Sequence, residues 1–255
     1  ADRIVHHAMC SVLEPIFDRT FISDSYACRP GKGTHAAVFR LQEFMRGARR
    51  GWILQCDVRK FFQSVDHEVL KRLVRRKIKD SRMLALADAV IDTAPIHPAF
   101  GPGKGLPIGN LTSQLFANVY LDPLDHFVKE TLRFKRYVRY VDDFVIVDDK
   151  ERLPEARERI AEFLTGNLGL ALHPDKCHIF PVRRGCTFLG YRVWPGRIRV
   201  KTATLVRIRR KEKRLRRDFW EGRITPERYW QTIDSFLGHL KWGDGNGSLA
   251  RQLTE

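Results

Sequence analysis

Two adjacent acids, Asp142 and Asp143, lie between strongly apolar runs: Tyr137, Val138 and Tyr140 before them, Phe144, Val145, Ile146 and Val147 after. Adjacent acids at a turn are ordinarily solvated turn formers, and Asp148-Asp149 reads that way. The flanks set Asp142 and Asp143 apart. Burying both runs as strands concentrates negative charge at their junction, and mutual repulsion makes that costly unless a cation neutralises it. Asp57 closes another apolar run, Leu54-Gln55-Cys56-Asp57-Val58, and can lie alongside. Three carboxylates from neighbouring strands make a hard oxygen site of the kind Mg²⁺ takes, with few protein oxygens and room for substrate phosphates. Such sites commonly hold two ions that stabilise the attacking and leaving oxygens of phosphoryl transfer. A second group, His173, Cys177, His178 and Cys186, has zinc-ligand residue types without a standard spacing, so ordinary packed and surface roles are expected for it.

The elements that position the acids follow from the pattern. Residues 52–58 read as a short strand, and 137–147 as a hairpin with Asp142-Asp143 at its tip. Helices are expected over 3–17, from a Thr34 cap to about 49, over 66–79 with Asp66 as N-cap, over 112–130 and over 153–167. Residues 98–107 are a Gly/Pro loop, and further strands fall around 176–181 and 186–194. Its Gly101-Pro102-Gly103-Lys104-Gly105 has no Ser or Thr after the Lys at phosphate-loop spacing. Helices and strands mix irregularly, which suits an α+β layer better than a doubly wound sheet. The best boundary is Pro195-Gly196, where alternation gives way to a basic helix. This divides the chain into 1–196 and 197–255.

Composition narrows the class. The 255 residues carry 46 Lys and Arg against 30 Asp and Glu, a net charge of +16, with 43% hydrophobic residues. That is globular rather than disordered composition. No stretch approaches the roughly 18 apolar residues of a membrane span, and the first residues lack the apolar core of a signal peptide. The absence of an initiator Met suggests a processed or trimmed chain. Five cysteines without a CxxC pair read as reduced thiols of a cytoplasmic protein. Charge of this sign points to a polyanion, above all nucleic acid. It concentrates in residues 197–217, with 11 basic residues and one acid. A helix of nearly one sign repels itself, and a phosphate backbone explains it, with Arg207, Arg209, Arg210 and Lys213 as contacts. Phe219, Trp220, Tyr229, Trp230, Phe236 and Trp242 follow, and their default role is the core of a small C-terminal helical unit.

The same residues carry a resemblance. Arg139-Tyr140-Val141-Asp142-Asp143-Phe144 resembles the catalytic hairpin of reverse transcriptases, and Asp57-Val58-Arg59-Lys60-Phe61-Phe62 their first catalytic strand. Tyr26-Ala27-Cys28-Arg29-Pro30-Gly31-Lys32-Gly33 is similar to the fingers motif of the bacterial enzymes. Leu106-Pro107-Ile108-Gly109-Asn110-Leu111-Thr112-Ser113-Gln114 resembles their template-side loop and helix. Leu170-Ala171-Leu172-His173-Pro174-Asp175-Lys176 and Phe188-Leu189-Gly190-Tyr191 look like the nucleotide-lysine and primer-grip motifs. Six motifs in order cover most of residues 2–196. Retrons and group II introns usually have Gln before the Gly of the template-side loop and Ser-Pro after it. Here Ile108 precedes Gly109 and Ser113-Gln114 follows, which resembles the reverse transcriptases of diversity-generating retroelements, as does Gly238-His239-x-Lys241-Trp242.

The resemblance implies an α+β right-hand polymerase palm with partial fingers and a helical basic thumb. It implies an RNA-directed DNA polymerase, error-prone at template adenines. Two Mg²⁺ ions, or Mn²⁺, would be held by Asp57, the Val58 carbonyl, Asp142 and Asp143. Arg29, Phe62, Ile108, Gly109, Gln114 and Lys176 would face the nucleotide; Phe62 would exclude a ribose 2′-hydroxyl and Lys176 would protonate pyrophosphate. Phe188, Leu189, Gly190 and Tyr191 would support the primer end, and Gly109 would allow close backbone approach. Partners would be an RNA template, a DNA or RNA primer, deoxynucleoside triphosphates and a small basic accessory protein, without a membrane. The family's first fingers motif lies upstream of the segment matched by residues 2–8, so a fragment or reduced fingers is expected. The rival reading is a non-catalytic RNA-binding or maturase-like protein with the same fold, or another bacterial reverse transcriptase type; the three acids argue against a non-catalytic chain.

Overall fold

The computed structural model describes residues 2–94, 99–107 and 109–244. They separate into two compact units, 1–40 with 51–180, and 41–50 with 181–255.

In the first unit the chain runs α1 (Asp2–Asp18), α2 (Thr34–Arg46, whose last turns belong to the second unit), β1 (Trp52–Asp57), a single turn α3 (Phe61–Ser64), α4 (His67–Lys77) and α5 (Ser81–Asp92). It continues through α6 (Leu111–His126), β2 (Tyr137–Tyr140), β3 (Asp143–Asp148), α7 (Arg152–Leu168) and β4 (His178–Pro181). The strands form one sheet in the order β2-β3-β1-β4, with β3 antiparallel to both β1 and β2. Helix α6 buries residues on every side, including Leu115, Phe116, Val119, Tyr120, Leu121 and Leu124. A helix apolar all round belongs inside, and α6 packs against α1, α4 and α7. It passes directly into a π-helical turn, Phe127–Thr131. Asp66 caps α4 as expected, its side chain accepting from the Val69 N–H at 3.1 Å.

Three local expectations change. Helix α5 was not anticipated, although Asp80 caps it and Ala87, Val90 and Ile91 repeat on its buried face. Helix α2 begins at Thr34 itself, which is not its cap; the Thr34 hydroxyl donates to Tyr140 Oη at 3.2 Å. It also stops at Arg46, three residues early.

The second unit holds a three-stranded antiparallel sheet, β5 (Cys186–Phe188), β6 (Tyr191–Trp194) and β7 (Arg197–Val200), followed by α8 (Thr202–Trp220) and α9 (Pro226–Leu240). Pro195-Gly196 therefore leads into a third strand before the basic helix. Ile198 and Val200 alternate inward, and Ile198 exchanges bonds with Asp244. The aromatic core expected here is also only partial. Tyr229, Ile233 and Leu240 of α9 are buried, whereas Trp220 and Trp230 are 79% and 51% exposed. Their spacing places them on the outer sides of α8 and α9. Among the described residues no helix is long and apolar enough to cross a membrane.

Candidate active site

Backbone pairing brings the three acids together. Asp57, the last residue of β1, stands opposite Asp143, the first of β3. Asp142 occupies the two-residue turn between Tyr140 and Asp143, and its carbonyl accepts from the Val58 N–H at 3.2 Å. Asp143 is thus a strand residue, and the tip itself is Val141-Asp142. Val141 sits at φ 53°, a left-handed conformation that strains a β-branched residue. Something must hold it there. Arg139 does: its Nη1 donates to the Val141 carbonyl at 3.0 Å.

Arg139 is itself fully buried, and its guanidinium meets the fully buried Asp125 of α6 through two bonds, 2.7 and 2.6 Å. Tyr137 Oη donates to the same carboxylate at 2.7 Å, and Asn118 Oδ1 accepts from Arg139 at 3.3 Å. A bidentate, fully hydrogen-bonded pair of this kind tolerates burial. Asp125, Asn118 and Arg139 position the turn, and none of them is among the site residues expected from sequence. Their signal was present: an Arg alternating inward on an apolar strand, and polar residues on the otherwise apolar α6.

The acids at the turn are less compensated. Burial, then the charges of Asp57 and Asp142, push the Asp143 carboxyl up to about 6. Asp142 is also raised, by burial first and then by Asp57. Lys176 answers part of this charge, its ammonium donating to Asp57 Oδ2 at 3.0 Å, and that bond raises the lysine pKa. The backbone beside Asp57 is equally fixed: the His173 N–H donates to the Asp57 carbonyl and the Arg59 N–H to that of Ala171. These flanking bonds make Val58–Leu172 a non-hydrogen-bonded pair, leaving the Val58 carbonyl out of that ladder. Among the described residues no three Asp, Glu, His or Cys side chains are closed into a metal-holding group. That holds for the acids and for His173, Cys177, His178 and Cys186. The acid set still suits a divalent ion in chemistry: hard oxygens, proton affinities raised by crowding, and one ammonium standing where positive charge is needed.

Other expected site residues divide. Phe61 is the core member of its pair, and Phe62 packs edge-on against it, half-buried. Gln114 is exposed on the first turn of α6, while Ser113 beside it is buried. Gly109 has φ 102°, a conformation that favours glycine, with open space where a Cβ would stand. Arg29 does not reach outward. Its guanidinium donates to Asp18 at 2.5 Å and to the Ile22 and Ser25 carbonyls at 2.7 and 2.9 Å, and its side chain is buried. A triphosphate contact from Arg29 would have to break that network. Ile108 lies outside the described residues. In the second unit Phe188 closes β5 and Tyr191 opens β6, with Leu189 and Gly190 turning between them at φ 49° and 87°. Tyr191 is buried, and its hydroxyl donates to the His239 carbonyl at 2.8 Å. Arg207, Arg209, Arg210 and Lys213 are all exposed on α8.

Acids on a palm-like sheet and a basic helical region are polymerase features. Residues 1–193 match the family described as Reverse transcriptase (RNA-dependent DNA polymerase), and the chain belongs to that family. Protein YkfC of Escherichia coli (strain K12) is 31% identical over 230 residues, which cover 75% of this chain and 60% of that protein. Group II intron-encoded protein LtrA of Lactococcus lactis subsp. cremoris is 24% identical over 258 residues, 74% of this chain and 42% of its own length. The chain thus spans about 60% or less of these two relatives. Among solved structures, the apo telomerase of Candida tropicalis superposes with a TM-score of 0.60 at 9% identity, covering 77% of this chain and 41% of that one. The telomerase of Candida albicans, in complex with a fragment of telomeric RNA, gives 0.56 at 12% identity over 78% of this chain and 37% of the telomerase. These likenesses establish an α+β polymerase-palm fold.

Proposed function

We propose that the chain is the palm and thumb of an RNA-directed DNA polymerase. The observation that carries this is the in-register pairing of Asp57 with Asp143, with Asp142 at the adjoining turn. Asp57, Asp142, Asp143 and the Val58 carbonyl would hold Mg²⁺ or Mn²⁺. When bound, such ions activate the primer 3′-hydroxyl and steady the leaving pyrophosphate. The chain's own part is positioning. The Arg139–Asp125 pair fixes the turn that presents Asp142, and the half-buried Phe62 ring offers a floor for a sugar. Lys176 would leave Asp57 for the triphosphate as the ions enter, and could then protonate pyrophosphate. The Phe188–Tyr191 turn would support the primer end, and the exposed cations of α8 would follow the phosphate backbone.

The finer assignment is a polymerase of a diversity-generating retroelement, error-prone at template adenines and working with a small basic accessory protein. Its support is the Ile108-Gly109 and Ser113-Gln114 pattern. Ile has no hydrogen-bonding group, so a contact worth about 0.5–1.5 kcal/mol is missing where a Gln would supply one, about twofold to tenfold in discrimination. The test is primer extension on an RNA template with Mg²⁺ and each nucleotide type, in wild type and Ile108→Gln. DNA synthesis with misincorporation concentrated opposite adenine, and reduced there by Ile108→Gln, is expected. Synthesis that errs equally at all four bases would reject the retroelement type, and no synthesis at all would favour the maturase-like reading.

A further inference from the structure

Cys56 and Cys177 stand 121 residues apart in sequence, yet their Sγ atoms lie 2.7 Å apart. That is inside ordinary contact distance and only about 0.7 Å longer than a disulfide bond. The two thiols occur on neighbouring strands, Cys56 on β1 and Cys177 at the entry to β4. They differ in access: Cys56 is fully buried, whereas Cys177 is partly exposed. Their chain positions are specific too. Cys56 immediately precedes Asp57 and Cys177 immediately follows Lys176, so the thiols bracket the Lys176–Asp57 ion pair.

We infer that Cys56 and Cys177 form an oxidative modification site, in which a peroxide joins them as a disulfide that ties β1 to the Lys176 segment. The chemistry closes with peroxide as the named oxidant. The Cys177 sulfur attacks one peroxide oxygen, the O–O bond breaks, and a sulfenic acid and one water result. The Cys56 sulfur then displaces that hydroxyl, which leaves as a second water. The two sulfurs lose two electrons, the peroxide gains them, and both thiol protons end in water. Access allows this order, because only Cys177 meets solvent and Cys56 is already within reach to resolve the sulfenic acid before further oxidation. The bond fixes the backbone of Lys176 beside Asp57. On the polymerase reading, which this consequence rests on, it hinders the exchange of the lysine for metal ions and lowers extension.

The experiment treats the whole purified chain with dilute hydrogen peroxide, unfolds it in N-ethylmaleimide and maps its peptides without reduction. The expected result is a peptide pair containing Cys56 and Cys177, joined with the loss of two hydrogens. Dithiothreitol should release it, and it should be absent from Cys177→Ser and from Cys177→Ala, the latter covering any folding defect of the first. Recovery of both cysteines as free thiols, or of Cys177 as sulfinic acid beside an alkylated Cys56, would overturn the inference. Primer extension is measured in parallel: a loss on oxidation that dithiothreitol reverses in wild type, and that Cys177→Ser does not show, supports the coupling to the acids. A cross-linked chain with full activity overturns that coupling. The peptide map does not depend on activity, so an inactive chain tests the modification site separately from the polymerase reading.

Discussion

The first unit sets carboxylates in two places about one hairpin, Asp125 beneath it and Asp57, Asp142 and Asp143 at its turn, and treats them in opposite ways. Asp125 is fully buried and receives three hydrogen bonds at once, two from the Arg139 guanidinium and one from the Tyr137 hydroxyl. Among the described residues, Asp57 pairs with one ammonium, that of Lys176, whose side chain is 56% exposed, and Asp142 and Asp143 have no ion pair of their own. Burial and crowding raise the proton affinity of Asp142 and Asp143. One cluster has its charge matched by the protein. The other leaves a deficit of positive charge at a turn whose backbone is fixed on every side. Rigid placement beside incomplete neutralisation is what an ion-dependent site requires.

The largest expected effect breaks the open cluster. Asp57→Asn or Asp142→Asn should abolish primer extension, a loss of about a thousandfold or more when transition-state charge stabilisation goes. The fold should persist, because each change removes repulsion, and circular dichroism checks that alongside the rate. Next, breaking the closed cluster should act on stability. Asp125→Ala leaves the Arg139 guanidinium buried without its counter-charge, which costs about 3–5 kcal/mol and should appear in urea unfolding. An Asp125→Ala variant as stable as wild type would mean the pair does not hold the hairpin.

A smaller effect separates the clusters by pH. The Asp143 carboxyl has a pKa of about 6 in the fold against 3.8 for an ordinary aspartate. The folded chain therefore keeps that proton to higher pH than the unfolded chain. Its contribution is full below about pH 4 and is lost as pH rises through 6, on the order of 3 kcal/mol. Without divalent ions, wild type should lose more stability between pH 4 and pH 7.5 than Asp143→Asn does. Equal slopes would show that Asp143 ionises as it would in water.

Much of the open cluster was legible because its signals are local. Acids between apolar runs, a strand ending in Asp57 and a capping Asp66 are all readable over a few residues. The closed cluster was not, because Arg139 and Asp125 are 14 residues apart and pair only once a strand lies on α6. The same reason hid β7: Ile198 and Val200 form a strand by pairing with β6, inside a stretch whose composition favours helix. Arg29 was hard to read for a different reason. Its motif position suggested an outward contact, but the carbonyls of Ile22 and Ser25 and the carboxylate of Asp18 enclose it. The spacing of the late aromatics suits helix packing and predicts a core role, yet Trp220 and Trp230 stand on the outer sides of their helices.

Manganese binding tests most directly whether the open cluster is an ion site for which Lys176 stands in. Titration of Mn²⁺ at neutral pH, followed by the paramagnetic resonance of the free ion, would compare wild type, Asp142→Asn and Lys176→Met. The expected result is binding by wild type, loss in Asp142→Asn, and tighter binding in Lys176→Met, where no ammonium competes for Asp57. Equal binding by all three chains, or none by wild type, would contradict the account.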